Sequence, residues 1–363
     1  MKNSMKTFIV LVVLQMSAAM AWGEIIDNVK YIDANGNEQV ANGVTVLDGS
    51  ETTLGTDEAT SWYVTKGDLS YNCKLVLIGD VHLILADGTS MTVYNETAND
   101  VAIYVSDNLI IYGQTVGTGQ LNATGDATAI SADTDNLIDT EYENDITING
   151  GIVNAFILGN GACLHALGDI VINGGQVTAG DIYDEELNYY GIIAASVTIN
   201  GGVVSAAGKG SIGYGIYAVG AGQSDITING GQVTAYGDYF GMYSDDGDII
   251  LSWTKSADYI CSNSYFVYPP NVLKIPAGKY FSVYGTIYGN ADEDYVFDAE
   301  GNATISKIND KTLVPYGDEA TGIENLTPTL SEGEGVLYDL QGRRVNKPTK
   351  GMYIVDGKKV FVK

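Results

Sequence analysis

Positive charge is scarce in this chain. Its 363 residues include 18 Lys and Arg against 45 Asp and Glu, which gives a formal net charge of −27 at pH 7. Between positions 100 and 250 one cation, Lys209, stands against nineteen Asp and Glu residues. Nucleic acids and anionic lipids bind through clustered Lys and Arg, so neither is an expected partner. The same region lacks the cations that would hold a uronate polymer directly.

Cysteine, histidine and long apolar runs are also scarce. Three widely spaced cysteines, Cys73, Cys163 and Cys261, do not resemble a disulfide framework, although one pair could be bridged. The two histidines, His82 and His165, have no metal-ligand spacing, and both are predicted to be strand residues. After residue 22 no apolar stretch is long enough for a membrane helix, so we expect no membrane insertion of the mature chain.

The N-terminus predicts export from the cytoplasm. Residues 1–21 combine Lys2 and Lys6, the apolar run FIVLVVL at 8–14, and the small-residue cleavage site Ala19-Met20-Ala21. This is the pattern of a secretory signal peptide. We therefore expect the protein at the cell surface or in the extracellular space, with the periplasm as an alternative.

Beyond the signal peptide, the chain predicts an all-β fold. Short runs rich in Val, Ile, Thr and Tyr end at glycines, of which there are 45, and no long stretch has helical periodicity. One phrase occurs four times, as ITINGGIVNA, IVINGGQVTA, VTINGGVVSA and ITINGGQVTA, with its Asn at 149, 173, 200 and 229. Strand-only repeats of this length predict a single-stranded parallel β-helix, or solenoid.

The repeated phrase is interpreted as a corner of this solenoid. Alternating apolar residues, such as Ile146 and Ile148, should face inward. The four Asn side chains should form an amide ladder, and the glycines should permit positive φ. We divide the chain into a signal peptide, an N-terminal cap, the β-helix, a C-terminal β cap or module, and a linker with a basic tail, at 1–21, 22–73, 74–253, 254–320 and 321–363.

A second recurring phrase carries aromatic residues. It reads YYGIIAA, GYGIYAV and DYFGMYSD at 189–195, 213–219 and 238–245, and it is interpreted as the return strand. Two stacked columns are expected, one of Tyr190, Tyr214 and Phe240 and one of Tyr217 and Tyr243. Aromatic faces can dock sugar rings, so these five residues are the candidate carbohydrate-binding site. The alternative is packing between rungs, because the sequence does not show which column faces outward.

Clusters of carboxylates in predicted loops are candidate calcium sites, since calcium prefers several oxygen ligands. None of the clusters fits an EF-hand loop, and simple solvated loops are the alternative. For the adjacent pair Asp245 and Asp246 a catalytic role is a third alternative, with no His or Lys nearby in sequence to assist. The clusters are Asp181, Asp184, Glu185 and Glu186; Asp133, Asp135, Asp139, Glu141 and Glu143; and Asp245, Asp246 and Asp248.

Three stretches resemble known secreted proteins. The segment SWYVTKGDLSYNCKLVLIGDVHLILADGTSMTV at 61–93, the NGG repeats and GDIILSWTKSADYICSNSYF at 247–266 are similar to a family of right-handed β-helix proteins from bacteria that use type IX secretion. The tail YDLQGRRVNKPTKGMYIV resembles the end of a type IX sorting domain. The resemblance implies an adhesin-like or calcium-dependent carbohydrate-binding role and supplies no catalytic residues.

The sequence therefore favours a secreted, non-catalytic β-helix protein that binds a polysaccharide or a cell-surface glycan, with calcium as an optional cofactor. Two alternatives remain. One is a β-helix polysaccharide lyase or glycoside hydrolase, although a lyase needs a cationic base and a positive clamp that these repeats lack. The other is a purely structural surface protein whose repeats only build length.

Overall fold

The computed structural model describes residues 23–57, 59–133, 144–181, 187–220, 224–255 and 257–262, the backbone of short strands between 265 and 362, and the side chains of Lys274 and Ile275. The predicted signal peptide lies outside the described residues. The described chain is all-β, with one short 3₁₀ helix at Gly210–Ile212. No helix in these ranges is long and apolar enough to span a membrane.

The strands are short and follow one another closely along the chain. The first half contains β1 (Ile25–Ile26), β2 (Val29–Ile32), β3 (Glu38–Ala41), β4 (Val44–Val46), β5 (Thr53–Gly55), β6 (Ser61–Val64), β7 (Asp68–Tyr71), β8 (Leu75–Ile78), β9 (Val81–Leu85), β10 (Ser90–Asn95), β11 (Val101–Val105), β12 (Leu109–Gly113), β13 (Gln120–Gly125) and β14 (Thr128–Ala132). The repeats contain β15 (Ile146–Ile148), β16 (Ile152–Ile157), β17 (Gly161–Ala166), β18 (Asp169–Ile172), β19 (Gln176–Ala179), β20 (Tyr189–Ala194), β21 (Ser196–Ile199), β22 (Val203–Gly208), β23 (Tyr214–Ala218), β24 (Ile226–Ile228), β25 (Gln232–Gly237), β26 (Phe240–Ser244) and β27 (Ile249–Leu251).

The remaining strands lie in the C-terminal third. They are β28 (Tyr259–Ser262), β29 (Tyr265–Val267), β30 (Leu273–Ile275), β31 (Phe281–Val283), β32 (Thr286–Tyr288), β33 (Tyr295–Phe297), β34 (Ala303–Ile305), β35 (Lys311–Pro315), β36 (Leu337–Tyr338), β37 (Gly351–Val355) and β38 (Lys358–Val362). The last three form an antiparallel sheet of their own within the predicted basic tail.

Parallel pairing between each strand and the strand three places later builds the solenoid. The first sheet includes β15, β18, β21 and β24; the second includes β16, β19, β22 and β25; the third includes β17, β20, β23 and β26. One turn of chain thus contributes one strand to each of three sheets. This is the parallel β-helix that the repeat predicted.

The parallel stack extends beyond the limits of 74 and 253 that the sequence suggested. At the N-terminal end β4 already pairs in parallel with β6, and β6 with β9. At the C-terminal end β27 pairs in parallel with β30, whose Ile275 is fully buried. Antiparallel pairs then end the stack, because β1 pairs with β4, β34 with β30, and β35 with β28.

The interior is a set of in-register apolar columns. Ile146, Ile170, Val197 and Ile226 pair along the first sheet, and all four are fully buried. Each such side chain contributes roughly 1.5–3 kcal/mol through removal of apolar surface from water. The predicted inward alternation of the repeats is confirmed.

The three cysteines are free thiols, and burial raises the pKa of Cys163.

The four Asn side chains of the repeated phrase form the predicted ladder at the corner between the first and second sheets. The Nδ2 of Asn173 donates to the Oδ1 of Asn149 at 2.8 Å. The Nδ2 of Asn200 donates to Asn173 at 2.7 Å, and that of Asn229 donates to Asn200 at 2.8 Å. Each inner amide therefore donates to one rung and accepts from the next.

The second glycine of the phrase is required by both conformation and space. Gly175 and Gly202 have φ of +80° and +87°. A Cβ at Gly175 would lie 2.5 Å from the Gly151 carbonyl oxygen, and one at Gly202 would lie 2.6 Å from that of Gly175. The rungs approach so closely at this corner that no side chain fits, so the Asn-Gly-Gly phrase is scaffolding.

Loss of one amide from the ladder should destabilise the solenoid. In Asn173→Ala two hydrogen bonds are lost, and we expect the free energy of unfolding to fall by about 1–3 kcal/mol. Urea unfolding followed by circular dichroism measures this change. Thr198→Ala, on the outer face of β21, is the matched control and should change stability by less than about 0.5 kcal/mol. Equal effects of the two substitutions would contradict the role of the ladder.

Candidate functional site

The predicted aromatic residues meet on the outer face of the third sheet. Tyr190 lies on β20, Tyr214 and Tyr217 lie on β23, and Phe240 and Tyr243 lie on β26. Tyr214 is paired with Phe240 and Tyr217 with Tyr243, and the rings of Tyr190 and Tyr214 stack at 5.6 Å. The two predicted columns are therefore confirmed as columns, and both face outward.

Both columns face outward because the return strand departs from simple alternation. In β23 the buried Gly215 and Ile216 stand between Tyr214 and Tyr217. Two successive inward residues shift the alternation, so residues three apart share the outer face. In β26 the buried Gly241 and Met242 do the same. Glycine makes this possible because a side chain at 215 would collide with the backbone of Gly241 and Tyr236.

The rings form one continuous surface, which we call the aromatic platform. Tyr214 and Tyr217 stack at 4.8 Å, and Tyr217 and Tyr243 lie 5.1 Å apart. Tyr239, which the sequence analysis did not include, packs edge-on against Tyr214 at 5.5 Å and against Phe240 at 4.6 Å. It is 56% exposed, whereas the other rings are half-buried. The platform comprises Tyr190, Tyr214, Tyr217, Tyr239, Phe240 and Tyr243.

The platform combines apolar faces with hydroxyl donors. Burial, followed by the charge of Asp245, raises the pKa of Tyr217. Burial also raises the pKa of Tyr190 and, with smaller effects of Tyr239, Tyr190 and Asp245, that of Tyr214. These hydroxyls stay protonated at neutral pH and can donate hydrogen bonds. The surface can therefore stack on a flat apolar face and bond to polar groups around its edge.

A second aromatic cluster lies on the outer face of the first sheet, but the N-terminal hairpin covers it. The rings of Tyr31, on strand β2 of the hairpin, and Trp62, on β6, lie 5.1 Å apart, and Tyr31 meets Tyr112 edge-on at 4.6 Å. The hairpin turns at Gly36, with φ of +80°, next to Asn35. This cluster fixes the cap to the solenoid, whereas no described element covers the aromatic platform in the same way.

His82 is part of this covered cluster. Its ring packs at a tilt against Trp62, with centroids 4.2 Å apart, and its Nδ1 lies 2.9 Å from the Tyr112 hydroxyl. Burial lowers the pKa of His82, and the charge of Asp80 opposes the shift only in part. The neutral imidazole therefore belongs to the folded state. His82 is a strand residue, as predicted. It contacts Trp62 and Tyr112, the two residues against which Tyr31 of the hairpin packs.

The carboxylates of the third predicted calcium cluster do not converge. Asp245 accepts from the Tyr243 hydroxyl at 3.1 Å, whereas Asp248 forms an ion pair with Lys274 at 2.7 Å. The backbone N–H of Asp246 donates to Ser224 Oγ. Within the described ranges no three His, Cys, Asp or Glu side chains are placed to share a metal ion.

The other two clusters fall largely outside the described residues. Of the first, only Asp181 is described; it is exposed, and its backbone carbonyl and N–H both bond to the Tyr189 hydroxyl. The remaining members, Asp184, Glu185 and Glu186, lie outside the described residues, as do 134–143 of the second cluster. Calcium binding at these two loops stays a prediction.

One constellation that the sequence did not reveal contains Ser131, His165 and Asp133. Ser131 Oγ lies 3.2 Å from His165 Nδ1, and Asp133 Oδ2 lies 4.0 Å from the same nitrogen. In a nucleophile–base–acid relay the serine and the carboxylate face different ring nitrogens. Here both approach Nδ1, so this arrangement does not have relay geometry. No local sequence pattern indicated this arrangement, because Ser131 and His165 are brought together only by the pairing of β14 with β17.

No protein-family model, curated protein or solved structure matches this chain. Function must therefore be argued from the geometry of its surface. The aromatic platform is the feature of the described solenoid with the clearest capacity to bind a ligand.

The covered cluster makes cap stability depend on pH through His82. Because its pKa is lowered in the fold from the ordinary 6.5, the unfolded chain binds the proton more readily. The contribution of neutral His82 to the free energy of unfolding is fully present above pH 6.5. It should decrease as the pH falls toward the lowered pKa of the folded state. In His82→Gln this dependence should be weaker, as measured by thermal unfolding at pH 7.5 and at about pH 5.5.

His165 serves as the internal reference for this experiment. Burial lowers its pKa as well, so it contributes a dependence of the same sign in both proteins. Only the difference in pH dependence between His82→Gln and the parent reports on the protonation of His82. Parallel pH curves for the two proteins would show that His82 does not couple protonation to cap docking.

Proposed function

We propose that this protein is an exported, non-catalytic β-helix protein whose aromatic platform binds carbohydrate. The observation that carries the proposal is a surface of six aromatic rings from three successive turns, held on the outer face of a rigid sheet. Large aromatic surfaces of this kind cost stability in water unless they serve packing or recognition. The covered cluster at the N-terminal end shows the packing use, and the platform differs from it in being open.

Sugar rings match the chemistry of the platform. They present apolar C–H faces to an aromatic ring and hydroxyl groups around their edge, and tyrosine offers both a flat face and a hydroxyl. The raised pKa of Tyr217 keeps its hydroxyl available as a donor at any physiological pH. Stacking and hydrogen bonding can then act together without any charged group on the ligand.

The geometry favours a chain-like glycan over a single sugar. Adjacent parallel strands lie about 4.8 Å apart, so rings at matching positions on β20, β23 and β26 extend along the solenoid axis. A polymer lying along this axis would meet one or two rings on every turn. Several weak stacking contacts on one chain would then add through their proximity.

The sequence supports this assignment independently of the platform. The predicted signal peptide and the resemblance to secreted β-helix proteins both favour a protein that meets glycans outside the cytoplasm. Calcium is not needed for stacking, so the proposal does not depend on the acidic loops. A purely structural role, in which the repeats only build length, is the outcome to be excluded.

Removal of ring faces from the centre of the platform should weaken glycan binding. Tyr217→Ala takes away a ring that contacts Tyr190, Tyr214 and Tyr243. Central aromatic residues of binding surfaces commonly account for more than 1 kcal/mol, so we expect at least about a fivefold rise in Kd. A glycan array followed by titration calorimetry on the best ligand measures this change. Tyr217→Phe should retain most of the affinity.

The matched control is Tyr94→Ala. Tyr94 is 37% exposed and lies on β10, on the outer face of the second sheet. Tyr94→Ala should leave glycan binding unchanged. Thermal unfolding of Tyr94→Ala and Tyr217→Ala would verify that each variant is folded. The carbohydrate assignment fails if no neutral or charged glycan binds the parent protein, or if the Tyr94 and Tyr217 variants lose affinity equally.

A further inference from the structure

The charge at the margin of the platform narrows the class of ligand. Asp245 lies in the turn directly after β26, and it accepts from the Tyr243 hydroxyl at 3.1 Å. Its charge also acts on Tyr214 and Tyr217, since it contributes to the raised pKa of both hydroxyls. One carboxylate therefore acts on three of the six rings, and it is itself exposed.

Two of the described lysines of these turns, Lys209 and Lys274, each have an acidic partner. Lys209 has a side chain only 7% exposed, 3.7 Å from Asp238, and its Nζ lies over the ring of Tyr236 on the second sheet. Lys274 pairs with Asp248 at 2.7 Å. Lys255 lies in the connection from β27 of the first sheet to β28 of the second, and this connection does not border the third sheet.

Aromatic faces together with a nearby carboxylate form a receptor for positive charge. Ammonium groups are attracted to the faces of aromatic rings, and a carboxylate adds a charge-assisted hydrogen bond. An anionic sugar would instead meet the carboxylate of Asp245, and Lys274, the lysine that pairs within the same turn, is already bound to Asp248 at 2.7 Å. The net charge of −27 also attracts cationic ligands and repels anionic ones over longer distances.

We propose that the aromatic platform selects glycans that carry protonated amino groups, such as polymers of deacetylated hexosamine, over neutral and uronate glycans. This inference rests on the proposed carbohydrate function and adds the charge of the ligand to it. The sugar rings stack on the tyrosines, and an ammonium group of the polymer lies between Asp245 and the neighbouring ring faces.

The test compares three oligosaccharides of equal length on the full exported chain: a deacetylated chitin oligomer, the fully N-acetylated oligomer and an oligogalacturonate. We expect the cationic oligomer to bind about fivefold more tightly than the acetylated one, and the uronate to bind least. Equal affinity for the first two oligomers would overturn the inference and leave the carbohydrate function standing. Absence of binding by all three would count against both.

Asp245→Asn separates specific recognition from overall charge. It should weaken binding of the cationic oligomer more than binding of the acetylated oligomer and so remove the preference between them. The matched control Asp68→Asn removes the same formal charge from an exposed residue at the start of β7, on the second sheet, and should retain the preference. If both variants lose the preference equally, the net charge alone explains it and the inference fails.

Polylysine of similar charge provides the last comparison, because it carries ammonium groups without sugar rings. We expect its binding to be weaker, to fall steeply with added salt, and to be insensitive to Tyr217→Ala. The cationic glycan should lose affinity in that variant. Polylysine that binds as tightly as the glycan, with the same loss in Tyr217→Ala, would show that the platform recognises cationic polymers without regard to the sugar.

Discussion

The repeats of this structure depend on close, in-register contact between the Asn-Gly-Gly corners of successive turns. The Asn side chains of successive repeats bond to one another at 2.7–2.8 Å, so each of the two inner ones has an Asn partner above and below it. At Gly175, Gly202 and Gly231 the backbones approach so closely that a Cβ would meet a carbonyl oxygen at 2.5–2.9 Å. A shift of one residue in any turn would break the ladder and would place the apolar columns in solvent. Register is thus fixed at the corner and transmitted to all three sheets.

Fixed register also determines the surface. Since equivalent residues of successive turns must lie over one another, any outward side chain that recurs in the sequence becomes a column. The aromatic platform is therefore a consequence of repetition: β20, β23 and β26 carry Tyr or Phe at matching positions, and the sheet holds them about 4.8 Å apart. The rigid backbone places the rings before any ligand arrives, which reduces the entropy that binding would otherwise cost.

Periodicity in the sequence predicted the solenoid, its inward columns and its Asn ladder, because these depend on residues that repeat at matching positions. It did not predict that Tyr214 and Tyr217 both face outward. That arrangement depends on two successive inward residues at 215 and 216, which strict alternation does not anticipate. The docking of the hairpin was also hidden, because it joins Tyr31 to Trp62 and Tyr112 across distances at which local pattern carries no information. Likewise, spacing alone grouped Asp245, Asp246 and Asp248, whereas the fold directs them to different partners.

The two aromatic clusters show how one kind of surface can serve stability or recognition. Near the N-terminal end, the rings of Trp62 and Tyr112 are covered by a hairpin, which buries apolar area and protects the first turns of the stack. On the third sheet the rings of the platform pack against one another, and within the described residues no element covers them as the hairpin covers the first cluster. Packing among themselves makes the rings rigid but does not remove their outer faces from water. A ligand that covers those faces would gain the burial that the hairpin already provides for the first cluster, and the fixed positions of the rings would lower the entropy that such binding costs.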